Sequence, residues 1–351
     1  MTWWFEPFSV QTPKVLQRKP AGKTRKDPRP VDCRELFASV CETRGKIHDP
    51  TGSVDEDSFA ELESHRRYEE LAAAHPNESV SKITARFIED SYTRTKKRRM
   101  KQALRWTKKT MEKLIRDEPD TSLSKLDRKR MVREIHRVEL GWPDPDELTP
   151  DQKEILHRPL AHYIRTRDSL QIILGGGYVR STTSWFNLVF TLAHEIAHAI
   201  DPCEQKKKGW VADTSLVYPR LNRCFAVTGL LVEQNIYGPQ PKASTQECGR
   251  TDQRPEVFAD WLAGRVTALA LKEFSQEFDN RQLEASVKNA VRDLCTPGPE
   301  DPHDLAANAP DEHPSQRIRI ELLFARNPMI REVLSCEPQP PTERYCAFDS
   351  L

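Results

Sequence analysis

His194-Glu195-Ile196-Ala197-His198, inside TLAHEIAHAID, has the residue types and spacing for metal chemistry. Imidazoles four positions apart on a helix stand one turn apart on the same face, where both can bind one Zn²⁺. The glutamate between them is close enough to take a proton from a water on that metal. A catalytic zinc needs a third protein ligand and an open fourth position. Glu256 and Asp260 are the candidates to complete the set, one turn apart at the start of RPEVFADWLAGRVTALALKEF. Acids in a first turn can simply answer the helix dipole. Phe258, Ala259, Trp261, Leu262 and Ala263 nevertheless bury this helix, so the two acids face something specific. A zinc carboxylate and an aspartate holding a ligand histidine meet that need. Asp201, three residues past His198 and expected on the same helix face, has a similar opportunity. His313 and Arg319 complete the inventory, although a His-Pro beside an arginine is by itself a loop and a helix start.

These residues require rigid elements behind them. Phe190, Leu192, Ala193, Ile196, Ala197, Ala199 and Ile200 make the HEIAH helix apolar nearly all round, so it is a core helix. Two histidines and a glutamate buried there need partners, which a metal and its water provide. Ser169–Leu174 reads as a short strand ended by Gly175-Gly176-Gly177, either an ordinary sheet strand or the wall of a cleft whose free edge would pair with an extended peptide. Upstream, amphipathic pieces run from Cys33 to Leu71, and charged helical stretches from Val80 to Arg116 and from Leu123 to Leu140. Pro143 to Pro159 is turn-rich and divides the helical part from the catalytic part. The expected fold is mainly α with a small β-sheet (α+β). It comprises an extended arm (1–32), a helical region (33–150) and a catalytic domain (151–351).

The formal net charge is +1, from 54 Lys and Arg against 53 Asp and Glu, so no global field selects a nucleic acid or a membrane. No apolar run approaches the ~20 residues of a membrane span. MTWWFEPFSV lacks the features of a secretory signal, which fits a cytosolic protein or a chain numbered from after a removed signal. Asn77-Glu78-Ser79 is a glycosylation sequon, meaningful in a secreted eukaryotic chain. Arg94–Lys109 carries nine basic residues and no acidic one. It can be a nucleic-acid patch or a solvated helix face. The latter is favoured, because the acidic runs DEPD and DPDELTPD can balance it. Eight cysteines form no C-x-x-C, which points to disulfides over a zinc module, with scattered reduced thiols as the alternative.

Taken together, the motifs resemble those of the neprilysin-like (M13) zinc endopeptidases, a gluzincin family. The family's HExxHxxD is matched by His194 through Asp201, and its ExxxD helix by Glu256 and Asp260. Its histidine and arginine six positions apart are matched by His313 and Arg319, and the cysteine seventeen residues later by Cys336. Its C-x-D-F-Y-x-x-x-C start is similar to CRELFASVC, which keeps both cysteines and the phenylalanine. The resemblance implies a thermolysin-like or neprilysin-like zincin domain, secreted, periplasmic or extracellular, with Zn²⁺ as cofactor and a peptide or protein as substrate. His194, His198 and Glu256 would hold the metal, Asp201 and Asp260 would fix the ligand imidazoles, and Glu195 would be the general base. His313 would stabilise the oxyanion, and Arg319 would hold a substrate carbonyl. The implied disulfides are Cys33 with Cys336, Cys41 with Cys295 and Cys224 with Cys346, leaving Cys203 with Cys248.

Two departures from the family stand out. Its members are about twice this length, so only residues of roughly 42–150 remain for a reduced helical lid. Its edge strand carries Asn-Ala-aromatic, whereas Leu160-Ala161-His162-Tyr163 lacks the asparagine. Two other readings remain: an intracellular DNA-associated protease of the SprT type, and a neprilysin-like binding protein with an abandoned cleft.

Overall fold

In the computed structural model the chain is mainly helical, with one three-stranded sheet and one short hairpin. The structure describes residues 36, 38–42, 47–49, 52–54, 56–117, 124–166, 169–182, 184–212, 218–227, 248, 253–274, 278, 280–295, 318–336 and 346. The arm 1–32, Cys33 and His313 lie outside them.

The hairpin pairs β1 (Ile47–Asp49) with β2 (Gly52–Val54). Four helices follow: α1 (Glu56–Ala74), α2 (Val80–Ser91), α3 (Arg94–Asp117) and α4 (Lys125–Arg137). The continuous helix expected from Val80 to Arg116 is therefore broken, and Tyr92 is the reason. Its backbone leaves the helical region (φ −101°, ψ 54°), its ring is buried, and its hydroxyl donates to Leu174 O at 2.6 Å. The stretch expected to stay helical to Leu140 instead ends at Arg137 and becomes β3 (Val138–Gly141), whose first residue is fully buried.

A short helix, α5 (Pro150–Ile155), occupies the turn-rich segment and starts with a capping box between Thr149 and Gln152. Next come β4 (Ala161–Arg165) and β5 (Leu170–Leu174), and the sheet order is β3-β5-β4. β5 runs parallel to β3 and antiparallel to β4. The strand expected at Ser169–Leu174 is thus present but central, and the edge beside the HEIAH helix belongs to β4. The apolar run LQIIL is buried on both faces, the pattern of an inner strand, while AHYIR is half-exposed. After β5 the chain turns tightly into α6 (Gly176–Ser181). A Cβ at Gly175 would lie 2.2 Å from Arg158 O, and one at Gly177 would lie 2.4 Å from His157 O. Only glycine permits this approach of two backbones.

The remaining elements are α7 (Trp185–Ala197), α8 (Pro202–Lys207), α9 (Pro219–Val227), α10 (Arg254–Phe274), α11 (Asn280–Ala290), a 3-10 turn (Arg292–Leu294), a π-helical stretch (Ile318–Ala325) and α12 (Pro328–Leu334). Ser184 caps α7 by accepting from Asn187 N, and Asn187 Oδ1 in turn accepts from the Tyr178 hydroxyl. α7 packs against α10, α3 and α11, and it touches β4 and β5. One apolar cluster joins Phe87, Met111 and Ile135 to Leu192, Trp261 and Phe324. The helical region 33–150 therefore shares its core and its sheet with residues 151–351. α3, from the part expected to form a lid, lies directly on the helix that carries HEIAH.

Disulfides join Cys41 to Cys295, Cys203 to Cys248 and Cys224 to Cys346, the three pairings within the described residues that the resemblance implies. Cys336 is also disulfide-bonded, and its expected partner Cys33 is outside the described residues. No described cysteine is a free thiol. No described helix is long and apolar enough to cross a membrane.

Candidate metal centre

The C-terminal end of α7 meets the N-terminal turn of α10, and this junction brings the expected residues together. His194 and Glu195 are buried in the last turns of α7, and His198 is its C-cap in helical conformation (φ −60°, ψ −21°). Glu256 and Asp260 come from the first turns of α10 and are 9% and 1% exposed. His194 Nε2 and His198 Nε2 lie 3.2 Å apart. Each also faces a Glu256 carboxylate oxygen, at 3.2 Å from His194 and 3.5 Å from His198. These separations are close to the ~3.3 Å edges of a tetrahedron built on metal–ligand bonds of ~2.0–2.1 Å. The three groups could hold a metal ion, with one ligand atom from each.

The tautomers support the same geometry. His194 Nδ1 is 2.8 Å from Asp260 Oδ1, so it donates there and turns an Nε2 lone pair towards His198 and Glu256. His198 Nδ1 faces Asp201 Oδ2 at 3.6 Å. Lone pairs converging in this way, with four carboxylates about them, demand a cation or protons at their centre. Burial opposes charge on His194, but Asp260 and Glu256 outweigh it and push its pKa up to about 10. Burial likewise opposes charge on His198, and Glu256 and Asp201 raise its pKa. For Asp260, burial favours the neutral form, yet Arg319 and His194 hold it well below the usual carboxylate range.

Asp201 reaches the site by a route that differs from the expected one. α7 ends before it, so Asp201 does not share the helix face of His198. It is the extended N-cap of α8 (φ −62°, ψ 163°), accepting from Glu204 N at 2.8 Å while it faces His198. Pro202 explains the break: it bars the residue before it from helical conformation and is itself suited to the first turn of a new helix.

Arg319 lies in the π-helical stretch, and its Nε and Nη2 donate to Asp260 at 2.6 and 2.9 Å. It supports the aspartate that orients His194. Glu195 is 8% exposed and close enough to His198 to favour its charged form. Its carboxylate accepts no side-chain hydrogen bond among the described residues. The Tyr163 ring lies 6.2 Å from that of His198, which places edge strand β4 beside the centre.

One further support is not legible in the sequence. Lys208 Nζ donates to Ala199 O at 2.8 Å and pairs with Glu134 at 3.1 Å, linking the turn after HEIAH to α4. The Lys208 and Glu134 side chains are 8% and 3% exposed. Nothing in their local sequence marks either residue as buried.

The chain matches no family model and no curated protein.

Proposed function

We propose that this protein is a zinc-dependent endopeptidase acting on peptides or small proteins, of the neprilysin-like type that its motifs resemble. The observation carrying this reading is the convergence of His194 Nε2, His198 Nε2 and the Glu256 carboxylate at a buried point next to Glu195 and beside edge strand β4. Two imidazole nitrogens and a carboxylate are an ordinary zinc set. Zinc held there supplies Lewis acidity and a water acidic enough to act near neutral pH.

The chain's own residues have separable tasks. Asp260 sets the tautomer and orientation of His194, Asp201 faces His198, and Arg319 holds Asp260 in place. Glu195 takes a proton from the attacking water and passes it to the leaving amine. The edge of β4 offers backbone donors and acceptors that align an extended peptide. By resemblance, His313 supplies a donor to the oxyanion at the scissile carbonyl. The disulfides favour an oxidising compartment, hence a secreted or periplasmic protein, and weigh against an intracellular SprT-type protease.

The test compares the wild type with Glu195→Gln, measuring bound zinc by elemental analysis and cleavage over a mixture of short peptides and folded proteins. The variant should keep its zinc and lose cleavage. Full activity in Glu195→Gln, or a wild type that neither binds zinc nor cleaves, would overturn the proposal.

A further inference from the structure

The basic segment of α3 has no part in the metal centre. Between Lys96 and Arg116, every exposed residue of this helix is basic: Arg98, Lys101, Arg105, Lys109, Lys113 and Arg116. They recur at helical spacing and form one row, one charge per turn, about 27 Å long. A second row, Lys125, Lys129, Arg133 and Arg137, runs along the exposed side of α4. The two helices are antiparallel neighbours: Arg128 Nη1 donates to Ile115 O at 2.6 Å, and His136 Nε2 meets Glu112 at 2.7 Å across the surface seam. Together they carry 17 Lys and Arg against 4 Asp and Glu, whereas the whole chain holds 54 against 53.

Among the described residues, few counter-charges reach this surface. Glu112 pairs with Arg116 and His136, and Glu134 is buried against Lys208 and Arg137. Arg98, Arg105, Lys109 and Lys113 form no ion pair among the described residues. Asp144, Asp146 and Glu147, from an acidic run expected to offset the patch, form none with it either. Like charges one turn apart destabilise a helix, so the row has a standing cost that a bound polyanion would relieve.

We infer that the α3–α4 surface is a docking site for a linear sulfated polysaccharide. A straight row of charges matches a linear polyanion. The row carries no exposed aromatic on which bases would stack, as sites for single-stranded nucleic acid do. The α3 row carries no large exposed apolar side chain to enter a lipid surface; of the described ones of that kind, Leu62, Val80, Leu126 and Leu160, one, Leu126, lies on α4 at the start of the second row. The disulfides favour an oxidising compartment, away from the cytosol and nucleus where nucleic acids are concentrated. The inference does not depend on peptidase activity.

The test uses the full chain and heparin as probe, with duplex DNA and anionic phospholipid vesicles at equal charge concentration for comparison. Heparin should bind most tightly, raise the thermal midpoint and protect Lys101, Lys109 and Lys113 from acetylation. The triple variant Arg98→Glu/Arg105→Glu/Lys109→Glu should lose at least tenfold in affinity, with a salt dependence shallower by about one unit per lost contact. The variant Lys82→Glu/Lys153→Glu/Lys207→Glu, altered at exposed lysines elsewhere, should lose far less. Equal losses in both variants, tighter binding to DNA or vesicles, or no protection of the three lysines in the wild type would each overturn the inference. The protection measurement needs no variant and stands even if the triple variant misfolds.

Discussion

Arg319 holds Asp260 with two parallel hydrogen bonds, Nε to Oδ2 at 2.6 Å and Nη2 to Oδ1 at 2.9 Å. Asp260 Oδ1 also faces His194 Nδ1 at 2.8 Å, so the arginine steadies a candidate metal ligand through one intermediate. Replacing Asp260 by Ala removes the partner of a guanidinium that is only 14% exposed. We expect Asp260→Ala to cost about 3–5 kcal/mol, as for other broken buried pairs. The same change should weaken metal binding roughly 10–100-fold. Denaturant unfolding and a metal-competition titration measure the two effects. Arg319→Lys should lie between Asp260→Ala and wild type, because an ammonium cannot reproduce the paired geometry.

Metal removal should be visible as stability. A ligand that binds only the folded state, at about 100 times its dissociation constant, adds about 2.7 kcal/mol. A chelator is therefore expected to lower the thermal midpoint of the wild type, and stoichiometric zinc to restore it. Glu256→Ala should show neither response. A wild-type midpoint indifferent to both treatments would remove the basis for the metal centre.

The disulfide from Cys41 to Cys295 spans 254 residues and ties an N-terminal turn to the segment after α11. Closing so long a loop chiefly restricts the unfolded chain. The double variant Cys41→Ala/Cys295→Ala should lose about 2–5 kcal/mol in denaturant unfolding. Its zinc content when folded should stay at the wild-type level, since neither cysteine touches the centre.

Asp90 joins three helices. It accepts from Arg67 of α1 at 2.9 and 3.1 Å and from Arg180 of α6 at 2.6 Å. The Arg67 hydrogen bonds, with Arg180 adding to them, hold its carboxyl below the usual aspartate value against partial burial. A depressed folded-state pKa contributes stability that is complete above the unfolded value near ~3.9 and fades as pH falls through the folded value. Asp90→Asn should therefore cost about 1–2 kcal/mol at pH 7, with the difference from wild type closing in strong acid. Parallel denaturation curves at the two pH values check this. A gap that persists unchanged into acid would show that the carboxylate's charge is not its source.

How much of this could be read beforehand depends on the range of the interaction involved. The helix apolar around HEIAH, the acids opening RPEVFADW and the strand LQIIL are local patterns, and each forms the expected element. Three features escaped local reading because each depends on a partner distant in the chain. Tyr92 breaks the long helix because its hydroxyl finds Leu174. β5 becomes central because both β3 and β4 pair with it. Lys208 is buried because Glu134 arrives from α4.

The sequence by itself determined which side chains could gather at one point, since i, i+4 spacing on a helix is set by backbone geometry. It also determined that these side chains would be buried, since apolar residues surround them. Only the tertiary structure decided how they are used. Asp201 serves His198 from the cap of a new helix, Arg319 closes on Asp260, and the exposed bases of α3 from Arg98 to Lys113 line up without described counter-charges. The physical reason is that helical periodicity follows from neighbours a turn apart, whereas ion pairs and unpaired charge depend on which remote segments the folded chain brings together.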